Sequence, residues 1–185
     1  CDDDEVFSRN YEEGILTAYR DLPEADVIIF NIGNRPAHWG DMPKKLGYLD
    51  LMHVASWQIS FKRESIVNNN VYFDEHMGAG SGNGAEEEFR FLTDCRKNGL
   101  AIYYVPFVIA DVAQTKSTWF KGYNEEFFIN RGNTTRYIMG YVPAVLYAAY
   151  YSIRKRHQFD SDISWFKAFR LIMKGIHENR LGKKK

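Results

Sequence analysis

The chain predicts an α/β fold, and three observations carry that expectation. Up to Pro106, segments follow the order helix, strand, loop, strand, glycine loop, helix, strand, as in a sheet covered by helices. Asp26-Val-Ile-Ile-Phe-Asn-Ile-Gly33 is a short β-rich run bounded by Pro23 and Gly33, of the kind that forms a buried strand. Gly78-Ala-Gly-Ser-Gly-Asn-Gly84 then leads through Ala85 into Glu86-Glu87-Glu88, with Phe89, Phe91, Leu92 and Cys95 as an apolar stripe behind them. The glycines permit backbone geometry that a Cβ forbids, so a pliant loop delivers carboxylates to a helix start.

The remaining elements follow in order. Residues 6–20 read as a helix with Phe7, Tyr11, Ile15, Leu16 and Tyr19 along one side. Residues 34–48 hold Pro36, Gly40, Pro43 and Gly47 and read as loop. Residues 59–63 alternate as a strand, Glu64-Ser-Ile-Val67 opens a short helix, and Asn68-Asn-Asn70 marks a turn. The acidic helix spans about 86–97 and stops at Asn98-Gly99. A strand over 101–106 ends at its proline. Beyond Trp119 the sequence predicts a helix at 124–130, an uncharged stretch at 137–153 with five tyrosines, and a last helix at 161–180. That helix lines up Trp165, Phe166, Phe169, Ile172, Met173 and Ile176, with Lys167, Arg170, Lys174 and Arg180 mainly off the stripe.

At 185 residues the chain holds one domain with a core plus an appendage, placed at 1–135 and 136–185. Its 45% hydrophobic and 16% aromatic content excludes a disordered chain. The formal charge is zero, yet residues 136–185 carry eleven Lys and Arg against three Asp and Glu, a net of +8, which leaves −8 on residues 1–135. The acidic part suits a divalent cation and the basic part an anionic surface; no nucleic-acid partner is expected. Cys1 and Cys95 match no zinc spacing, and nothing demands a disulfide between them, so a reducing compartment is expected. The chain opens at Cys in the middle of a motif, which predicts a fragment lacking its N-terminal part.

Two acidic clusters carry the chemistry. Asp2-Asp3-Asp4 supplies hard oxygen ligands for Mg²⁺ or Mn²⁺, which typically bridge to a diphosphate. The plainer explanation is a solvated helix cap. Glu86-Glu87-Glu88 likewise suits the first turn of any helix through its dipole. Crowding three carboxylates can raise one pKa toward the value a general base needs, while the helix N-terminus and a metal push the other way. The glycine loop fails the dinucleotide spacing because Ala85 takes the last position, and no P-loop, EF-hand or nucleophile elbow is present.

Asp2-Asp-Asp-Glu-Val-Phe7, then Tyr72-Phe-Asp-Glu75, then the glycine loop entering Glu86-Glu-Glu-Phe89 resembles the family 2 inverting glycosyltransferases of the GT-A fold. Ile102-Tyr-Tyr-Val-Pro106, Ser117-Thr118 and Arg131-Gly132 extend the likeness in the same order over residues 1–135. The resemblance implies a partial three-layer α/β/α GT-A domain without its nucleotide-binding half, followed by C-terminal helices. It implies that Asp2 and Asp4, or Asp3 if the register slips by one, bind the metal and the diphosphate of a nucleotide-sugar donor. Asp74, Glu75, Gly80, Gly82, Gly84, Ser117, Thr118 and Trp119 would line the substrate side. Glu86 would take the proton of a glycan or lipid-linked acceptor hydroxyl, with Glu87 sharing or taking that role, because Ala85 replaces the usual acidic partner. Asp111 and Gln114 stand where many relatives place a histidine, so no third metal ligand is named. The implied activity is hexosyl transfer in cell-surface polysaccharide synthesis, with the fragment alone inactive.

The uncharged stretch 137–153 is a little short of the ~20 residues that span a bilayer and contains Gly140 and Pro143, so a spanning helix is the lesser alternative there. The last amphipathic helix suits an anionic membrane surface, or packing on the domain, and the expected location is cytoplasmic at the inner membrane face. The competing readings are a metal-dependent hydrolase or phosphoryl-transfer enzyme, and a non-catalytic fragment whose acids cap helices.

Overall fold

The structure, a computed structural model, describes residues 5–35, 39–78, 86–113 and 122–183. It is mixed α/β and divides into two compact units, Cys1–Asp74 with Glu87–Lys116, and Glu75–Glu86 with Ser117–Lys185. The boundary expected at 135 falls inside a helix, Glu125–Met139.

The first unit is built on a five-stranded sheet of β1 (Glu5–Phe7), β2 (Val27–Ile32), β3 (Lys44–Lys45), β4 (Ile59–Phe61) and β5 (Ile102–Val112), in the order β1-β5-β2-β4 with β3 also on β5. β2 and β5 run parallel, and the other pairs are antiparallel. All but one residue of β2 is buried, which explains its continuous apolar run. Asp26 fixes the start of both central strands: one carboxylate oxygen accepts from the Ala101 amide (2.8 Å) and the other from the Ser65 hydroxyl (2.6 Å). Ala18 of α1 (Tyr11–Asp21) packs with Ile28, Phe30, Ile32, Ile109, Ala110 and Val112 as one core. α2 (Arg63–Asn68) and α3 (Glu87–Lys97) complete the unit. Cys95 on α3 is a buried free thiol, and burial pushes it up to about 12.

Two expectations change here. Residues 5–7 are a strand, and the helix begins at Tyr11, because Glu5–Phe7 pairs with Ala110–Val112 and Ser8 donates to the Val108 and Ile109 carbonyls. Pairing across a hundred residues outweighs the local helical spacing. β5 also runs through Pro106 instead of ending there. The ladder slips between Phe30 and Ile32, so that Phe30 pairs with Val105 but Asn31 with Val108, leaving Pro106 in a bulge where its missing N–H costs no bond.

The second unit is helical: α4 (Glu125–Met139), α5 (Tyr141–Arg154) and α6 (Trp165–Glu178). Asn124 and Ser164 cap α4 and α6 by accepting from the Phe127 and Lys167 amides. Gly140, at φ 86°, separates α4 from α5, so the uncharged stretch is two helices. No helix among the described residues is long and apolar enough to cross a membrane. Phe128, Ala144, Ala148, Tyr151, Phe159, Ala168, Ile172 and Ile176 form the core, so part of the α6 stripe is spent on packing within the unit.

Candidate functional site

Asp2, Asp3, Asp4, Gly80, Gly82, Gly84, Ser117, Thr118 and Trp119 lie outside the described residues. Of the other expected site residues, Asp74 is half-buried and Glu75 is exposed. The segment before them is anchored by Phe73, whose ring stacks on the buried Phe91 at 4.3 Å and 4°. Glu86 sits at φ 90°, a left-handed conformation unfavourable for a side chain with a Cβ, immediately before α3.

Within the helical unit the Glu86 carboxylate meets the Arg131 guanidinium at 3.4 Å. Arg131 projects from α4 into an aromatic cage, with its guanidinium carbon 4.5 Å from the Tyr151 ring centre, 5.1 Å from Phe127 and 6.0 Å from Tyr147. It also donates to the Tyr147 hydroxyl. Burial works against the cation, but Glu86 and then the two tyrosines outweigh it, so the guanidinium holds its proton more tightly than usual. Burial drives Tyr147 and Tyr151 upward in turn, keeping both phenols neutral beside the charge. Arg131 Nε is buried with no acceptor among the described residues. The arrangement is a carboxylate held by a fixed, partly dehydrated cation, with one guanidinium donor unused.

In the sheet unit Glu88 accepts from the Ser56 hydroxyl and amide, yet burial, and then the neighbouring Glu87 charge, push its carboxyl above the usual range. Glu88 belongs to the acidic run, though the bases that the resemblance implies are Glu86 and Glu87. One oxygen of Glu87, Oε2, is buried without a donor among the described residues. Ser56 begins a single 3-10 turn, Ser56–Gln58, whose Trp57 and Gln58 line a cleft of about 220 Å³ with Asn31, Ile32, Arg35, His53 and Ala55. Arg35 lies over the Trp57 indole at 4.9 Å. Gln58 is fixed by donating to the Phe30 carbonyl, and the Tyr104 hydroxyl lies 2.9 Å from Asn31 Oδ1. The cleft opens at the carboxyl end of β2, where sheets of this class commonly take ligands.

Sequence reasoning singled out Arg131 only as half of an Arg-Gly match, overlooked Tyr147 and Tyr151, and named Glu88 within the acidic run without giving it a role of its own. The available signal for the cage was Phe127 four residues before Arg131 on one helix face. Among the described residues no group of three His, Cys, Asp or Glu side chains is placed to hold a metal ion. The Mg²⁺ or Mn²⁺ expectation rests on Asp2, Asp3 and Asp4 and therefore on sequence alone. Set against protein-family models and against curated proteins, the chain matches none.

Proposed function

We propose that this chain is the acceptor-side part of an inverting, metal-dependent glycosyltransferase of the GT-A fold, moving a sugar from a nucleotide-diphosphate donor to a glycan or lipid-linked hydroxyl. The observation that carries the reading is Glu86, held in a strained backbone conformation at the head of α3 with its carboxylate against Arg131. Glu86 accepts the acceptor's hydroxyl proton while that oxygen bonds to the anomeric carbon. The bond from that carbon to the diphosphate breaks on the opposite face, and the diphosphate leaves with the electron pair. Arg131 positions the carboxylate, which gives the Arg131-Gly132 match a physical reason. Asp2 and Asp4 would hold the cation that neutralises the departing diphosphate.

The test uses the full-length protein with nucleotide sugars. Transfer predicts free nucleoside diphosphate together with a lengthened glycan; release of sugar or phosphate without lengthening points instead to a hydrolase. Glu86→Gln should lower turnover by two or more orders of magnitude at unchanged fold. Full activity in that variant would leave the acids as helix caps and overturn the assignment.

A further inference from the structure

The helix α5 is apolar on every side, although only one side faces the core. Ala144, Ala148, Tyr151 and Ser152 are buried. On the opposite side Val142, Leu146, Tyr150 and Ile153 are 66%, 67%, 52% and 56% exposed, at the i, i+4, i+8, i+11 spacing of one continuous stripe. Tyr141 and Pro143 are exposed at its start. A helix that is hydrophobic all round belongs in a buried setting, and a contiguous apolar strip of this kind on a surface marks an interaction site.

The charge around the strip identifies its occupant. Residues 127–159 contain no Asp or Glu but five cations: Arg131, Arg136, Arg154, Lys155 and Arg156. Arg131 is consumed by Glu86, and Arg136 lies over the Tyr141 ring at 5.2 Å. Arg154, Lys155 and Arg156 follow the strip directly in sequence, before the next carboxylates along the chain, Asp160 and Asp162. In the same unit, the head of α6 exposes Trp165 (46%) and Phe166 (55%) and has no acid in its first turn. An aliphatic stripe bearing tyrosines and bordered by cations complements the hydrocarbon and the phosphates of an anionic bilayer. With 14 residues, α5 is about 21 Å long, short of the ~30 Å hydrocarbon thickness, so it lies along the surface.

We infer that the Val142–Leu146–Tyr150–Ile153 face of α5, with Arg154, Lys155 and Arg156, docks on an anionic lipid surface. The inference is independent of the glycosyltransferase reading, since its test involves no turnover. It also moves the membrane contact from the last helix, whose Ile172 and Ile176 are buried, to the helix before it.

The 185-residue chain is mixed with vesicles of phosphatidylcholine containing 30% phosphatidylglycerol, or of phosphatidylcholine alone, and floated on a density gradient. Flotation is expected with the anionic vesicles only, and should fall in 0.5 M NaCl. Leu146→Asp/Ile153→Asp should abolish it. Arg154→Gln/Lys155→Gln/Arg156→Gln leaves the apolar strip intact and should weaken partitioning by on the order of 100-fold. Circular dichroism and melting temperature establish that each variant is folded; if the aspartate pair does not fold, the glutamine triple decides alone. A folded chain that stays at the bottom with anionic vesicles overturns the inference, as does flotation that the glutamine triple leaves unchanged. Concentration-dependent dimerisation that disappears with the aspartate pair also overturns it, assigning the strip to a second copy or another protein partner.

Discussion

A guanidinium stacked against three aromatic rings and facing one carboxylate tolerates little substitution. Arg131→Ala removes the counter-charge of Glu86 and the stacking on Tyr151 together. Breaking such a pair costs about 3 kcal/mol here, at the lower end for buried pairs because both side chains keep partial solvent access. Arg131→Lys preserves the charge but forfeits the planar stack, so it should fall between wild type and alanine in urea unfolding. Equal stability of lysine variant and wild type would show that charge alone matters at this position. Glu88 makes a prediction of opposite sign. Its carboxyl is raised, so the folded state binds the proton more tightly than the unfolded chain does. That contribution is fully present below the ordinary glutamate pKa of about 4.3 and is lost as pH rises through the raised value. Above that raised value the ionised Glu88 opposes folding. Glu88→Gln should therefore raise the melting temperature at pH 7, with the gain vanishing below about pH 4; a variant destabilised equally at both pH values would assign the dominant role to the Ser56 bonds. The sequence made the acidic run legible as a place where carboxylates crowd. It did not say which of the three is desolvated, since that depends on tertiary packing, and the Ser56 bonds that oppose the rise come from about thirty residues earlier.

At the scale of elements, the helical unit is closed by two glycines that local sequence gives no reason to pair. A Cβ on Gly132 would collide with the Ile172 carbonyl oxygen, and one on Gly175 with that of Ile129. α4 and α6 thus approach backbone to backbone, and Asn133 beside the crossing accepts from the Arg180 amide at 2.8 Å. Because the obstacle is main chain, Gly132→Ala cannot be absorbed by a rotamer change. It should cost about 3 kcal/mol, a loss of roughly 6–12 °C in melting temperature. Once the helices have been forced apart, the second substitution meets less resistance, so Gly132→Ala/Gly175→Ala should cost clearly less than the sum of the two singles. Additive losses would mean that the two glycines serve separate contacts. Gly14 plays a related part in the sheet unit, leaving space for the Phe107 ring just past the Pro106 bulge. The apolar run of β2 and the stripe of α3 were readable because their spacing is local. The Pro106 bulge and the β1 strand were not, because each is set by a partner far along the chain.

At the scale of the whole molecule, composition showed where the charge changes sign but not where a compact unit ends. The acidic and basic portions meet near residue 135, within a helix whose buried Phe128 packs on Phe159 at 5.0 Å and whose Arg131 needs Tyr147 and Tyr151. A chain stopped after Thr135 would keep most of α4 and lose both helices that cover it. Phe128, fully buried in the intact unit, would face water, and burying a phenylalanine is worth about 1.5–3 kcal/mol. The Arg131 cation would lose the Tyr147 and Tyr151 rings and its Tyr147 bond, keeping only Phe127, so the Glu86 carboxylate would be held by a poorly supported side chain. The expected outcome is a 1–135 product that binds a hydrophobic dye, aggregates, and shows less helix per residue than the 185-residue chain. The three are measured by dye fluorescence, light scattering and circular dichroism on material prepared in parallel. A soluble, monomeric 1–135 product with no dye binding and a cooperative melt would mean that the C-terminal helices are an appendage after all, and that Glu86 is positioned by the sheet unit without their help.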